Sequence, residues 1–214
     1  MDAPEPPIRA VVFDFGGVLI SPITTLIEEV AAWHDVTMVE MLDVLMGPRE
    51  TSTHDHPWHR AERGELAIAE LQNEVTPFAE AVGLTLRGDE YERLLCGEFT
   101  VHADIVDRIG RLRDEGYRLG LLTNSFLEFR AHIESHIDFT LFDAVVDSSV
   151  VGHRKPEPAI YELTASMLDV SPSEILYLDD FAANLEGAKE AGWRTIHVTD
   201  VESALRELDI ALSH

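Results

Sequence analysis

The chain of 214 residues has one cysteine, Cys96. A single thiol rules out an intrachain disulfide framework and points to a reducing compartment. Basic residues are scarce: 16 Lys and Arg stand against 40 Asp and Glu, for a formal charge of −24. A field of that sign repels nucleic acids and anionic membrane surfaces, so neither is an expected partner. If the ligand is a phosphate, a metal ion and a few cations must reverse the field locally. No apolar run approaches the ~20 residues that a membrane span needs. The opening MDAPEPPIRA has neither the basic start nor the apolar run of a signal peptide, so a cytoplasmic location is the expectation. No GxGxxG follows a strand, and no G-x-S-x-G surrounds Ser125. Dinucleotide binding and a serine nucleophile therefore lack support. Internal repeats and low-complexity tracts are also missing.

Five short, nearly continuous apolar runs are present, at 9–15, 117–124, 143–149, 174–180 and 193–200. Continuous rather than alternating runs fit parallel strands covered on both faces. Helical spacing occupies 104–116, 126–136, 157–168, 184–191 and 201–212. Alternation of the two predicts a Rossmann-like, doubly wound α/β sheet. Residues 21–99 break the rhythm with helical patterns alone and read as an inserted helical cap. The core then comprises 1–20 and 100–214.

Ligands of an open parallel sheet bind at the carboxyl ends of its strands. The first predicted strand ends at Asp14, the second at Thr123-Asn124-Ser125 and the fourth at Asp179-Asp180. The loop after the third carries Arg154 and Lys155. This set suits phosphoryl transfer. A carboxylate attacks phosphorus to give an aspartyl-phosphate, which water cleaves. A hydroxyl, an amide and an ammonium serve the equatorial oxygens. Carboxylates from two strand ends suit Mg²⁺, which prefers oxygen ligands. Gly16 and Gly17 let the backbone turn sharply and approach a ligand closely. Arg154 either adds positive field for a dianion or lies exposed.

Four ordered motifs, VVFDFGGVL, LLTNS, HRKPEPAIY and LYLDDFAANLEGAKEAG, resemble those of the haloacid dehalogenase superfamily over nearly the whole chain. The resemblance implies Asp14 as nucleophile, Thr123 and Asn124 as phosphate binders and Lys155 as charge stabiliser. It implies Mg²⁺ on Asp14, Asp180 and the Gly16 carbonyl, with Asp179 and Asn184 contributing behind or through water. Asp14, Lys155 and Thr123 are thus the expected catalytic residues. Asn124, Gly17 and Arg154 are the expected substrate contacts, and Asp14, Gly16, Asp179 and Asp180 the expected metal site. One departure stands out. Where phosphatases of the family carry a second aspartate as general acid and base, this chain has Gly16. The expected activity is phosphate-ester hydrolysis of a small metabolite by a monomer or homodimer. The alternative is a catalytically weak binding or regulatory protein on the same scaffold. The acidic pair at 179–180 weighs against dehalogenation.

Lesser candidates lie in the cap. His54, Asp55, His56 and His59 form a conceivable zinc set, or a polar segment from which Arg60 or Arg63 touches the leaving group. Trp33, Phe78 and Phe99 are expected in the core.

Overall fold

The computed structural model describes residues 6–47, 56–96 and 99–213. His54, Asp55 and the Cys96 side chain lie outside what is described. Strand β1 (Ala10–Phe13) is buried on both faces, as its unbroken apolar run requires. The insertion that follows holds five helices among the described residues: α1 (Thr24–Trp33), α2 (Met38–Met46), α3 (Pro57–Glu62), α4 (Ile68–Ala81) and α5 (Gly88–Cys96). The chain then alternates through α6 (Ala103–Asp114), β2 (Arg118–Thr123), α7 (Arg130–His136), β3 (Ala144–Asp147), α8 (Ser148–Val151), α9 (Pro158–Leu168), β4 (Ile175–Asp179), α10 (Ala182–Glu190), β5 (Arg194–His197) and α11 (Val201–Leu212). Ser148 and Ser149, expected to end the third strand, instead open α8, because the Asp147 carboxylate caps the Ser149 N–H at 3.0 Å.

All strand pairs are parallel and the order is β3-β2-β1-β4-β5. The expected doubly wound sheet with a helical insertion is therefore what the chain forms. The winding direction reverses at β1, so the crevice of the fold opens beside Asp14. Side chains alternate across the sheet. Val11 and Phe13 pack with Ile105 and Ile109 of α6 and Leu208 of α11. Ala10 and Val12 face Ile160, Tyr161 and Leu168 of α9. The inserted helices have their own core of Ile27, Val30, Met41, Leu45, Leu71 and Val75, into which Phe126 of the loop after β2 intrudes. The two chain crossings into the insertion run side by side: Ile20 bridges Val101, and the Ser21 N–H donates to the Thr100 carbonyl at 2.8 Å.

Two aromatic residues depart from the expected core positions, whereas Phe99 packs against both cores as expected. Trp33 is 51% and Phe78 43% exposed, because neither side chain falls on the packed stripe of its helix. Phe78 covers the His56 ring, with centroids 4.8 Å apart. Phe99 also lines the crevice from its place against the two cores.

His56 caps α3, its Nδ1 accepting from the Trp58 N–H at 3.3 Å. Burial, reinforced by His59, pushes its pKa from the ordinary 6.5 down to about 4. The unfolded chain therefore binds the proton first, and stability falls as pH drops from 6.5 towards 4. The group accounts for at most about 3 kcal/mol of that loss. His56→Asn keeps a capping acceptor and removes the titration. Urea melts across this range should show a shallower decline for the variant; parallel declines would refute the assignment.

Candidate active site

The strand ends place the predicted residues together. Asp14, Gly16, Thr123, Asn124, Arg154, Lys155 and Asp180 line one cavity of about 180 Å³. Asp179 lies just behind, fully buried. Gly17 lies beneath Asp180: a Cβ there would sit 2.1 Å from Asp180 Oδ2, and its φ of +71° also favours glycine.

Lys155 is the hub. Its ammonium lies 2.7 Å from Asp14 Oδ1 and 2.8 Å from Asp179 Oδ2. It also donates to the Tyr177 hydroxyl at 2.9 Å and the Leu122 carbonyl at 3.2 Å. The Asn124 amide clamps the Lys155 backbone, accepting from its N–H at 2.8 Å and donating to its carbonyl at 3.0 Å. Burial opposes the lysine charge, but Asp14 and Asp179 outweigh it and hold the ammonium above its ordinary pKa.

The three acids differ in what they have left to offer. Asp179 Oδ2 accepts from Lys155, Tyr177 and Asn184, and Oδ1 accepts from Asn184 at 3.1 Å and from the Phe181 N–H at 2.7 Å. Its bonds hold Lys155 in place. Asp14 Oδ1 accepts from Lys155 and from the Phe15 N–H at 2.7 Å, while no hydrogen bond to Oδ2 is found among the described residues. Asp180 Oδ1 is buried without a hydrogen-bond partner. Burial raises the Asp14 carboxyl well above its usual range against the pull of Lys155, with Asp179 and Asp180 adding to the rise. Burial and then Asp179 push Asp180 up to about 6.

Three carboxylates within 4.8 Å of one another thus share one ammonium. With all three ionised the cluster carries two surplus negative charges, and it has one orphaned carboxylate oxygen, which a divalent, oxygen-seeking cation suits. It is the one group of three or more His, Cys, Asp or Glu found with metal-holding spacing among the described residues. His56 and His59, with ring centroids 5.6 Å apart, belong to no such group there.

The same balance predicts the effect of removing the lysine. Lys155→Met leaves the buried carboxylates without a compensating cation, which costs about 3–5 kcal/mol of stability. Urea unfolding in EDTA measures this, and a loss below about 1 kcal/mol would mean that the acids carry no net charge in the folded state.

The cap supplies residues that the motifs did not single out. Trp58 and Glu62, four apart on one face of α3, line the cavity. Trp58 Nε1 donates to Glu62 Oε1 at 3.0 Å, and Arg154 Nε lies 2.5 Å from Glu62 Oε2. Arg154 is thus tied to the cap rather than exposed. Arg63 pairs with Glu65 and with Glu157, and Arg60 with Glu74; neither arginine lines the cavity. Tyr177 had a readable signal, since it lies two residues before Asp179 on a strand and so shares its face. The Glu62–Arg154 pair joins residues 92 apart and had none.

Comparison with known proteins gives this site a family. Residues 8–192 match the model for haloacid dehalogenase-like hydrolases. A phosphatase of Mycobacterium tuberculosis is 31% identical over 198 residues, covering 87% of this chain and 85% of the relative. An (S)-2-haloacid dehalogenase of a Pseudomonas species is 29% identical, covering 91% and 86%. Mouse acyl-CoA dehydrogenase family member 10 is 30% identical over 95% of this chain, which spans only 19% of that protein. The chain likewise spans 38% of the mammalian bifunctional epoxide hydrolases that it matches. A family enzyme from Bacteroides thetaiotaomicron, solved with magnesium and inorganic phosphate, shares the fold at a TM-score of 0.63 and 19% identity, covering 92% of this chain and 98% of the other. The chain belongs to the haloacid dehalogenase-like hydrolases.

Proposed function

We propose that this hydrolase is an Mg²⁺-dependent phosphatase of a small phosphorylated molecule, working through an aspartyl-phosphate on Asp14. The observation that carries the reading is the buried, orphaned Asp180 oxygen beside Asp14, in a cluster with more carboxylates than cations to balance them. A site for a halogenated carboxylic acid would gain nothing from that surplus. Both phosphatases and dehalogenases are among the relatives, and the charge balance of this chain's own site is what supports the phosphatase reading.

Asp14 Oδ2 attacks phosphorus while Lys155 holds Oδ1 and favours the ionised carboxylate against the effect of burial. The P–O bond to the leaving group breaks, and that oxygen departs as an anion because Gly16 offers no proton. Thr123, Asn124 and the backbone at Gly17 orient the phosphoryl oxygens. Water then attacks the aspartyl-phosphate, releasing phosphate and restoring the Asp14 carboxylate. Asp14, Asp180 and the Gly16 carbonyl would hold Mg²⁺, with Asp179 acting through Lys155. When bound, the ion supplies charge neutralisation for the transferring group.

The division into a core of 1–20 and 100–214 and a cap of 21–99 belongs to the same reading, with the bridged crossings at Ile20 and Val101 as the hinge. The cap opens by releasing Glu62 from Arg154 and Arg63 from Glu157.

The test measures phosphate release from a panel of phosphate esters, and halide release from chloropropionate, in Mg²⁺ and in EDTA. Mg²⁺-dependent phosphate release is expected. Halide release alone would replace the reading with dehalogenation. If both are absent, beryllium fluoride with Mg²⁺ decides whether the site is a silent pocket, the outcome to which Gly16 lends support.

A further inference from the structure

The cavity beyond the phosphoryl end is walled by apolar side chains. Ile20 comes from the core side of the hinge, Ile23, Met46 and Trp58 from the cap, and Phe126 and Phe129 from the segment after β2. The polar groups on this wall are few among the described residues, and they are occupied or uncharged. Glu62, Arg154 and Trp58 Nε1 satisfy one another. Burial, with His136 alongside, holds the His132 imidazole below its ordinary pKa, so it adds no cation. A sugar, glycerol or nucleotide leaving group would lose its water here and find few donors or acceptors in return. A hydrocarbon gains from the same wall.

A second observation narrows the class. The only carboxyl group on the cap wall among the described residues is Glu62, and both of its oxygens are engaged, Oε1 by Trp58 Nε1 and Oε2 by Arg154. With Gly16 in place of an acid, the described cap wall offers no free carboxylic acid to protonate the departing oxygen. An alkoxide leaves poorly without a proton, whereas a phenolate leaves well. A contiguous run of aromatic side chains, Trp58, Phe126 and Phe129, also suits an aromatic ring.

We infer that the substrate is an apolar aryl phosphate, whose uncharged aromatic group fills this cavity and departs as a phenolate. This inference rests on the phosphatase reading for its chemistry, but the recognition of an apolar group can be tested apart from turnover. Two measurements on the wild-type chain with Mg²⁺ separate them.

Calorimetry with the non-hydrolysable methyl-, phenyl-, naphthyl- and carboxyphenyl-phosphonates reads recognition. Naphthyl should bind about tenfold tighter than phenyl, and carboxyphenyl about tenfold weaker. Equal affinities, or a preference for carboxyphenyl, would overturn the inference. Kinetics with the corresponding phosphates and octyl phosphate read departure. Naphthyl phosphate should be cleaved at least about 10²-fold faster than octyl phosphate, and equal rates would overturn the aryl assignment while leaving the phosphatase standing. If no ester releases phosphate, the phosphatase reading fails, and the phosphonate affinities still decide whether the cavity selects apolar aromatic ligands. Phe129→Gln should compress the naphthyl-to-phenyl ratio in both experiments, since it places an amide on the half-buried wall position; an unchanged ratio would remove Phe129 from the contact.

Discussion

Asp14→Asn should lower phosphate release by about a million-fold, the order seen when a hydrolase loses its covalent nucleophile, while leaving the fold at least as stable as before. The two halves of this expectation come from the same charges. Asp14 Oδ2 is the attacking oxygen, and an amide cannot replace a carboxylate in forming the aspartyl-phosphate. Yet Asp14 is also one of three clustered acids served by one ammonium, that of Lys155, which pairs with Asp14 and Asp179. Removing one charge from an over-acidic cluster relieves repulsion, and Asp179 keeps its 2.8 Å contact with Lys155. Steady-state phosphate release and a thermal melt in EDTA test both halves. Residual release within about tenfold of wild type would point to another nucleophile, and a large fall in melting temperature would mean that the Asp14–Lys155 pair is needed for folding.

Gly16→Asp should raise hydrolysis of alkyl phosphates by about 10²–10⁴-fold, the usual worth of a placed general acid, with a much smaller gain for aryl phosphates. A Cβ built on Gly16 meets nothing within 4 Å, so the added side chain enters open space. The position also lines the cavity, which puts the new carboxyl beside the reacting groups. Phenolates gain little because they leave without a proton. The informative quantity is the ratio of kcat/KM for octyl over naphthyl phosphate in the two proteins. An unchanged ratio would show that the missing acid is not what limits the wild-type chain.

The fold and the phosphoryl end of the site were legible because both are encoded locally. Continuous apolar runs such as AVVF and ILYLD mark strands buried on both faces, and the alternation with helices leaves few ways to wind them. Once the strands are parallel, their carboxyl ends share one edge, and Asp14, Thr123 and Asp179 stand there whatever else the chain does. Glycines at 16 and 17 were readable as a close approach, and Gly17 meets it under Asp180.

The linear chain on its own therefore determined a doubly wound sheet, a helical insertion and a carboxylate-rich edge with one lysine. Tertiary packing alone decided how those charges are shared: Asp179 is spent on Lys155, Tyr177, Asn184 and the Phe181 N–H, whereas Asp180 Oδ1 is left without a partner. It also decided that Arg154 pairs with Glu62, and that Ile20, Ile23, Met46, Trp58, Phe126 and Phe129 converge on one apolar wall. The physical reason is range. Periodicity sets which face of an element is buried, but the choice of neighbour across the crevice depends on how the inserted helices dock on the sheet, and no local pattern specifies that contact.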